Sequence, residues 1–83
     1  MYLHIGEDIL VKTDEVIAIL DKNLLNSSPT MEEFLQKKAE VTRNLAKGSI
    51  KSIVITNTVV YYSPLASATL KRRSLQRTIL IDE

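Results

Sequence analysis

Residues 51–73, KSIVITNTVVYYSPLASATLKRR, decide how this chain is expected to fold. Two apolar runs, 53–55 and 59–62, flank the polar link Thr56-Asn57-Thr58, and this pattern predicts a buried β-hairpin. Asn57 suits a turn position with a positive φ in that link.

Both faces of this hairpin are predicted to need cover. Ile53, Val54 and Ile55 are apolar at consecutive positions, and consecutive strand residues point to opposite faces of a sheet. A sheet with one solvated face would instead alternate apolar and polar residues. Because the chain offers only two short helical patterns, we infer that one face packs on a helix and the other on a second subunit. This predicts an obligate homo-oligomer.

A helix is predicted to follow the hairpin, over about residues 64–73. Ser63 suits its N-cap and Pro64 its first position, where the N–H that proline lacks would be unpaired anyway. Its C-terminal end carries three consecutive cations, Lys71, Arg72 and Arg73. The helix dipole favours cations at that end, which is a local explanation for one or two of them. Residues 77–81, RTILI, are predicted to be a frayed tail or a strand that pairs with another chain.

The first part of the chain predicts strands. Residues 2–5 and 9–11 suit a hairpin, and the β-branched, almost wholly apolar run 16–20 suits a buried strand. Segment 21–29 is rich in Asn and Ser and contains a proline, so a loop is predicted there. Residues 41–47 alternate, which favours a strand, with a continued helix as the competing interpretation.

A helix is predicted between these strands, over about residues 30–40. Its apolar positions recur at helical spacing, and Thr30 with Glu33 fits a capping box. The predicted order is therefore β-β-β-α-β-β-β-α. It indicates one α+β domain over residues 1–83, with a small, mainly antiparallel sheet and two helices.

Size and composition exclude several classes of site. The chain has 83 residues, no cysteine and one histidine, so disulfides, cysteine nucleophiles and multi-histidine metal sites are excluded. A core this small is often marginal without partner chains. The first residues do not resemble a signal peptide, and no apolar run is long enough for a membrane span, so a cytoplasmic location is predicted.

Charge is distributed unevenly along the chain. Residues 1–42 hold four Lys/Arg and eight Asp/Glu, whereas residues 43–81 hold seven Lys/Arg and no acid. Such asymmetry indicates an anionic partner for the basic half. The competing interpretation is that the acidic half of one subunit contacts the basic half of another.

The sequence contains no convincing catalytic or cofactor-binding motif. The adjacent acids, such as Glu32-Glu33, are better explained as turn and cap residues than as a catalytic pair. His4 is better explained as a strand-surface or interface residue, and Ser63 has no second histidine to activate it. Tyr61 and Tyr62 point to opposite faces in a strand, so packing is favoured over base stacking. We therefore predict no enzyme, no metal and no cofactor.

The cations remain as candidate DNA contacts. Basic loops and arginines reach phosphates without a recognition helix, and a ring of subunits would repeat the basic surface. The candidate DNA-binding residues are Arg43, Lys47, Lys51, Lys71, Arg72 and Arg73.

The chain resembles the small bacterial extracellular-matrix regulatory proteins of the RemA/RemB family, and is more similar to the B type. The resemblance covers most of the chain: YLHIGED, TDEVIAILD, MEEFL and above all KSIVIT…VYYSPLASATLKRR. It implies a cytoplasmic α+β domain with a topology similar to LytTR-type DNA-binding domains. The A type assembles into rings, binds DNA and activates biofilm-matrix genes, and the resemblance implies the same role here.

One position departs from the family pattern. In the A type a glycine followed by two arginines forms the DNA-contacting loop, whereas here Ser49 and Ile50 follow Gly48. Lys47 and Lys51 supply point charges there without the bidentate fork of arginine. We predict a ring-forming, DNA-binding transcriptional regulator, with itself, DNA and an A-type paralogue as partners and no membrane. The alternative is an interaction ring without DNA contact, whose basic half lies at subunit interfaces.

Overall fold

The computed structural model describes the backbone of residues 2–82, and the side chains of these residues except 25, 26 and 75–82. Within this range the predicted order of strands and helices is confirmed. The elements are β1 Tyr2–Gly6, β2 Ile9–Lys12, β3 Val16–Asp21, α1 Leu24–Ser27, α2 Pro29–Lys37, β4 Thr42–Asn44, β5 Ser52–Thr56, β6 Val60–Ser63 and α3 Ser67–Asp82. The four-residue α1 lies in the segment predicted to be a loop. For residues 41–47, the strand interpretation is confirmed over β4 alone.

The strands form one four-stranded sheet and one separate hairpin. The sheet has the order β3-β5-β6-β4, with β5 antiparallel to both β3 and β6 and with β4 parallel to β6. Strands β1 and β2 pair antiparallel with each other. The predicted α+β class with a mainly antiparallel sheet is therefore confirmed.

Central strand β5 is buried along its whole length, and its own chain covers both of its faces. On one face Ile53 packs in a cluster with Leu35 of α2. On the other face Val54 packs in a second cluster with Ile5 of β1 and Leu70 of α3. The inference that a second subunit must cover one face was wrong, because the β1–β2 hairpin and α3 fill that place. Oligomerisation therefore stays a prediction without this support.

A threonine hydroxyl closes the link between β5 and β6. The Thr56 Oγ1 atom accepts from the main-chain N–H groups of Thr58, at 3.3 Å, and Val59, at 2.9 Å. The positive φ predicted for Asn57 is wrong, since Glu7 is the one non-glycine residue in the described range with a positive φ. The hydroxyl bonds close this turn without a left-handed residue.

The N-cap predicted at Ser63 is also wrong. Ser63 is the last residue of β6, and its hydroxyl donates to the carbonyl oxygen of Ile5 while accepting from the N–H of Leu65. This bond attaches the β1–β2 hairpin to the sheet. Gly6 follows Ile5 with a φ of +145°, and a Cβ atom there would lie 2.9 Å from the Cδ of Pro64. Glycine is thus required where the hairpin crosses Pro64.

Helix α3 differs from the prediction at both ends. It begins at Ser67 instead of residue 64 and continues to Asp82, so residues 77–81 are neither a strand nor a tail but helix. Leu70 on its first turn is fully buried and holds it against the sheet. The three cations that follow Leu70 therefore lie in the second turn of α3 and not at its C-terminal end, so the helix dipole does not explain them.

Helix α2 is capped by a residue other than the one predicted. The Ser28 Oγ atom accepts from the N–H of Met31 at 3.2 Å, and Pro29 occupies the first helical position. The capping box predicted at Thr30 was wrong, since the proline signal marks the helix start one residue earlier.

Replacing the cap tests this correction. We expect Ser28→Ala to lower the free energy of unfolding by about 1 kcal/mol, because an N–H of the first turn loses its acceptor. Thr30→Ala is the control and should have a much smaller effect. Urea denaturation of both variants gives the comparison, and an equal or larger loss in Thr30→Ala would contradict the cap seen at Ser28.

Candidate nucleic-acid interface

Three exposed lysines lie at the end of the sheet where β5 begins. Lys51 directly precedes β5, and its carbonyl oxygen accepts from the N–H of Lys22 at 3.3 Å, which places the residue after β3 beside it. Lys47 lies in the loop 45–51 that joins β4 to β5. All three side chains are exposed. We call Lys22, Lys47 and Lys51 the lysine end.

Both ends of loop 45–51 are attached to β6. The N–H of Leu45 donates to the carbonyl oxygen of Tyr62 at 2.8 Å, and the N–H of Lys51 donates to that of Ser63 at 2.9 Å. Leu45 is also buried in the core. The loop is therefore anchored where it leaves and rejoins the sheet, while its middle lies in solvent.

The tip of this loop is open. A Cβ atom built on Gly48 would meet no atom within 4 Å, and Ser49 is exposed. Ile50 is half-buried, so the second position after the glycine is partly withdrawn from the surface. The tip at Gly48 and Ser49 is therefore exposed within the part of the chain that the structure describes.

Lys22 was missed by sequence reasoning. It was counted with the acidic half of the chain, although it lies beside Lys51 in space. The available signal was the pairing of β3 with β5: Asp21 pairs with Ser52, so the residue after β3 must lie beside the residue before β5.

The other candidates lie elsewhere on the molecule. Arg43 is exposed on β4, the edge strand of the sheet, in register with Tyr61. Lys71, Arg72 and Arg73 are exposed on α3. Consecutive helical residues point about 100° apart, so these three cannot all face one surface. Main-chain bonding thus places Lys22 beside Lys51, while Lys47 lies in the loop that leads to Lys51. Arg43 lies on β4 two residues before that loop, and the other three cations lie on α3.

The candidate cations form no ion pair with the other side chains that the structure describes. Among the side chains that the structure describes, the single ion pair joins Lys37 to Glu33 on α2, at 3.4 Å. Within the described residues, all of the candidate cations are therefore exposed without an ion-pair partner: Lys22, Arg43, Lys47, Lys51, Lys71, Arg72 and Arg73. Lysine and arginine in this state are available to phosphate groups.

Other residues singled out from the sequence have local roles. His4 is exposed, and its Nε2 atom bonds the main-chain carbonyl oxygen of Glu7 in the β1–β2 turn. Tyr61 packs against one apolar cluster and Tyr62 against the other, as predicted for strand neighbours.

Neither a cluster of metal-binding side chains nor a helix able to cross a membrane occurs among the described residues. No group of three or more His, Cys, Asp or Glu side chains there is arranged to hold a metal ion. None of the helices in this part of the chain has the length and apolar character needed to cross a bilayer.

Comparison with known proteins agrees with the resemblance noted in the sequence. The family model described as extracellular matrix regulatory protein A-like matches residues 2–74. Extracellular matrix regulatory protein B of Bacillus subtilis (strain 168) is 45% identical over 74 residues, which cover 89% of this chain and 90% of the relative. Both names designate regulators. The chain therefore belongs to the RemA-like family of extracellular matrix regulatory proteins.

Proposed function

We propose that this protein is a cytoplasmic, DNA-binding transcriptional regulator of biofilm-matrix genes that acts as a homo-oligomeric ring. Family membership supports the regulatory role, since the matched relatives are named for regulation of the extracellular matrix. The lysine end supports DNA as the partner, because its three exposed cations form no ion pair with the side chains that the structure describes.

The lysine end suits contact with the phosphate backbone more than the reading of bases. Lysine carries a point charge on a flexible side chain. Lys47 and Lys51 lie in the open, anchored loop 45–51 and not on a helix that could enter the major groove. One subunit offers few such contacts. Repetition around a ring would multiply them and raise affinity through effective concentration.

Several features support self-association. Tyr2, Leu10 and Ile17 are exposed to 58%, 59% and 68%, respectively. Strands β3 and β4 each pair with one neighbour only within the described chain, so both outer edges of the sheet are available for contacts. The LytTR-like topology, the number of subunits and assembly with an A-type paralogue stay predictions.

The alternative is an interaction ring without DNA contact. It is favoured by Ser49 and half-buried Ile50, which occupy the two positions where the A type carries arginines. In this case the basic residues would lie between subunits. The two functions differ in whether the lysine end faces outward in the assembled particle.

Salt dependence of DNA binding tests the proposal. An electrophoretic mobility assay with promoter and random DNA should show affinity that falls by about a thousandfold or more between 50 and 200 mM salt, if the ring contacts six or more phosphates. Each neutralised phosphate releases counterions, which makes the slope steep. Binding that is independent of salt, or no binding at low salt, would contradict DNA as the partner.

A further inference from the structure

A cavity of about 380 Å³ lies beside α2, away from the lysine end. Ligand pockets usually measure about 300–1,000 Å³, so this one is large enough for a small molecule or a long side chain. Leu35 and Ala39 line it from the helix side, and Tyr62 lines it from β6. Polar residues complete the lining: Glu32, Gln36, Thr42 and Asn44.

The fold creates this cavity at the edge of the sheet. Helix α2 ends at Lys37, and the 3-10 turn Ala39–Val41 carries the chain to β4. Thr42 and Asn44, two residues apart on β4, point to the α2 side and line the cavity. Because the helix ends before it covers this edge, a space remains between α2, β4 and β6.

Glu32 is the one charged residue among those that line the cavity. Two other polar groups of the lining are already engaged: Thr42 Oγ1 donates to the carbonyl oxygen of Lys38 at 2.7 Å, and Asn44 Oδ1 accepts from the N–H of Ala46 at 2.9 Å. Glu32 forms no ion pair with any described side chain. Gln36 also lines the cavity and offers a neutral amide. The Glu32 carboxylate is thus the one charged group of the lining that a ligand can contact.

The cations of α2 do not neutralise Glu32. Lys37 pairs with Glu33, and Lys38 lies over the ring of Phe34, 6.0 Å from its centroid. Glu32 is exposed in the first turn of α2, so its carboxylate can also contact a cation from outside the described chain.

We propose that the cavity binds an aliphatic ammonium or guanidinium group. The alkyl stem would pack on Leu35, Ala39 and the Tyr62 ring, and the cationic head would bond the Glu32 carboxylate, as long basic side chains do when their stems are buried. Tyr62 adds a face that attracts cations. The group could belong to a free small amine or to a Lys or Arg side chain of a second copy. This inference does not depend on DNA binding.

Amide chemical shifts of the full-length, ¹⁵N-labelled chain, titrated with agmatine and without DNA, test the site. Saturable shifts are expected at Leu35, Ala39 and Asn44, and uncharged 1-pentanol should bind more weakly. We expect Glu32→Gln to weaken agmatine binding by about tenfold, the effect of losing one charge-assisted hydrogen bond. Glu33→Gln is the matched control, because Glu33 is the next residue but does not line the cavity.

Sedimentation velocity distinguishes the two sources of the cation. If a second copy supplies it, Glu32→Gln and agmatine will both shift the assembly toward smaller species. If the ligand is a free amine, wild type and Glu32→Gln will sediment alike while the titration still saturates. The proposal is overturned if agmatine gives no saturable shift and assembly is unchanged, or if Glu33→Gln loses as much affinity as Glu32→Gln.

Discussion

Reversal of the three charges at the lysine end should abolish DNA binding at physiological salt. In the triple variant Lys22→Glu, Lys47→Glu and Lys51→Glu, we expect affinity to fall by at least about a hundredfold, since like charges set against a partner cost several kcal/mol. A ring would repeat this penalty in every subunit. The mobility assay described above measures the loss directly.

The fold should survive this change, because the hydrogen bonds at the lysine end are made by main-chain atoms. The N–H of Lys22 donates to the carbonyl oxygen of Lys51, and the N–H of Lys51 donates to that of Ser63, so the side chains are dispensable for both bonds. An unchanged circular dichroism spectrum and unfolding midpoint would confirm that the loss of binding is electrostatic.

A matched control separates a local contact from an effect of net charge. The triple variant Lys12→Glu, Lys37→Glu and Lys38→Glu alters net charge by the same amount on exposed residues elsewhere. It should bind DNA much more tightly than the variant of the lysine end. Equal losses would indicate attraction by net charge alone and would contradict a defined contact surface.

The α3 cations provide a further comparison. If Arg72→Glu with Arg73→Glu abolishes binding while Lys47→Glu with Lys51→Glu does not, the contact surface lies on α3. The position of these arginines near the N-terminal end of a long helix makes this comparison informative, because the helix dipole does not account for them.

The order of elements could be predicted because the signals for strand and helix are local. The apolar runs of β5 and β6 and the helical spacing in α2 lie within single segments, and the structure confirms them. Tertiary partners have no such local signal. The hydroxyl of Ser63 donates to the carbonyl oxygen of Ile5, 58 residues away in sequence. The sequence around Ser63 does not reveal this partner, so a helix cap was predicted where the strand ends.

The candidate site was predictable only in part for the same reason. The lysines around Gly48 could be recognised because they are close in sequence. Lys22 belongs to a segment of opposite net charge and joins them only through the pairing of β3 with β5. The second face of β5 was likewise predicted to pack against another subunit. The β1–β2 hairpin packs on that face instead.

Among the substitutions considered, truncation of a buried side chain on central strand β5 should lower the stability of the fold most. Ile53 is fully buried on the face of the sheet that packs against α2. We expect Ile53→Ala to lower the free energy of unfolding by about 2–5 kcal/mol, because apolar burial is lost and a cavity is left behind. Val41→Ala is the control. Val41 ends the 3-10 turn before β4, is 43% exposed and is not among the candidate subunit contacts, so its truncation should cost much less.

Urea denaturation of wild type and Ile53→Ala at several protein concentrations also tests whether a second subunit covers β5. If the chain itself buries both faces of this strand, the loss in Ile53→Ala will be the same at all protein concentrations in urea denaturation. If a second subunit were needed, the wild type would itself lose stability on dilution, and the difference from Ile53→Ala would shrink. A constant difference would place the subunit contacts elsewhere, with exposed Tyr2, Leu10 and Ile17 as the first candidates because their apolar surface has no cover within the described chain.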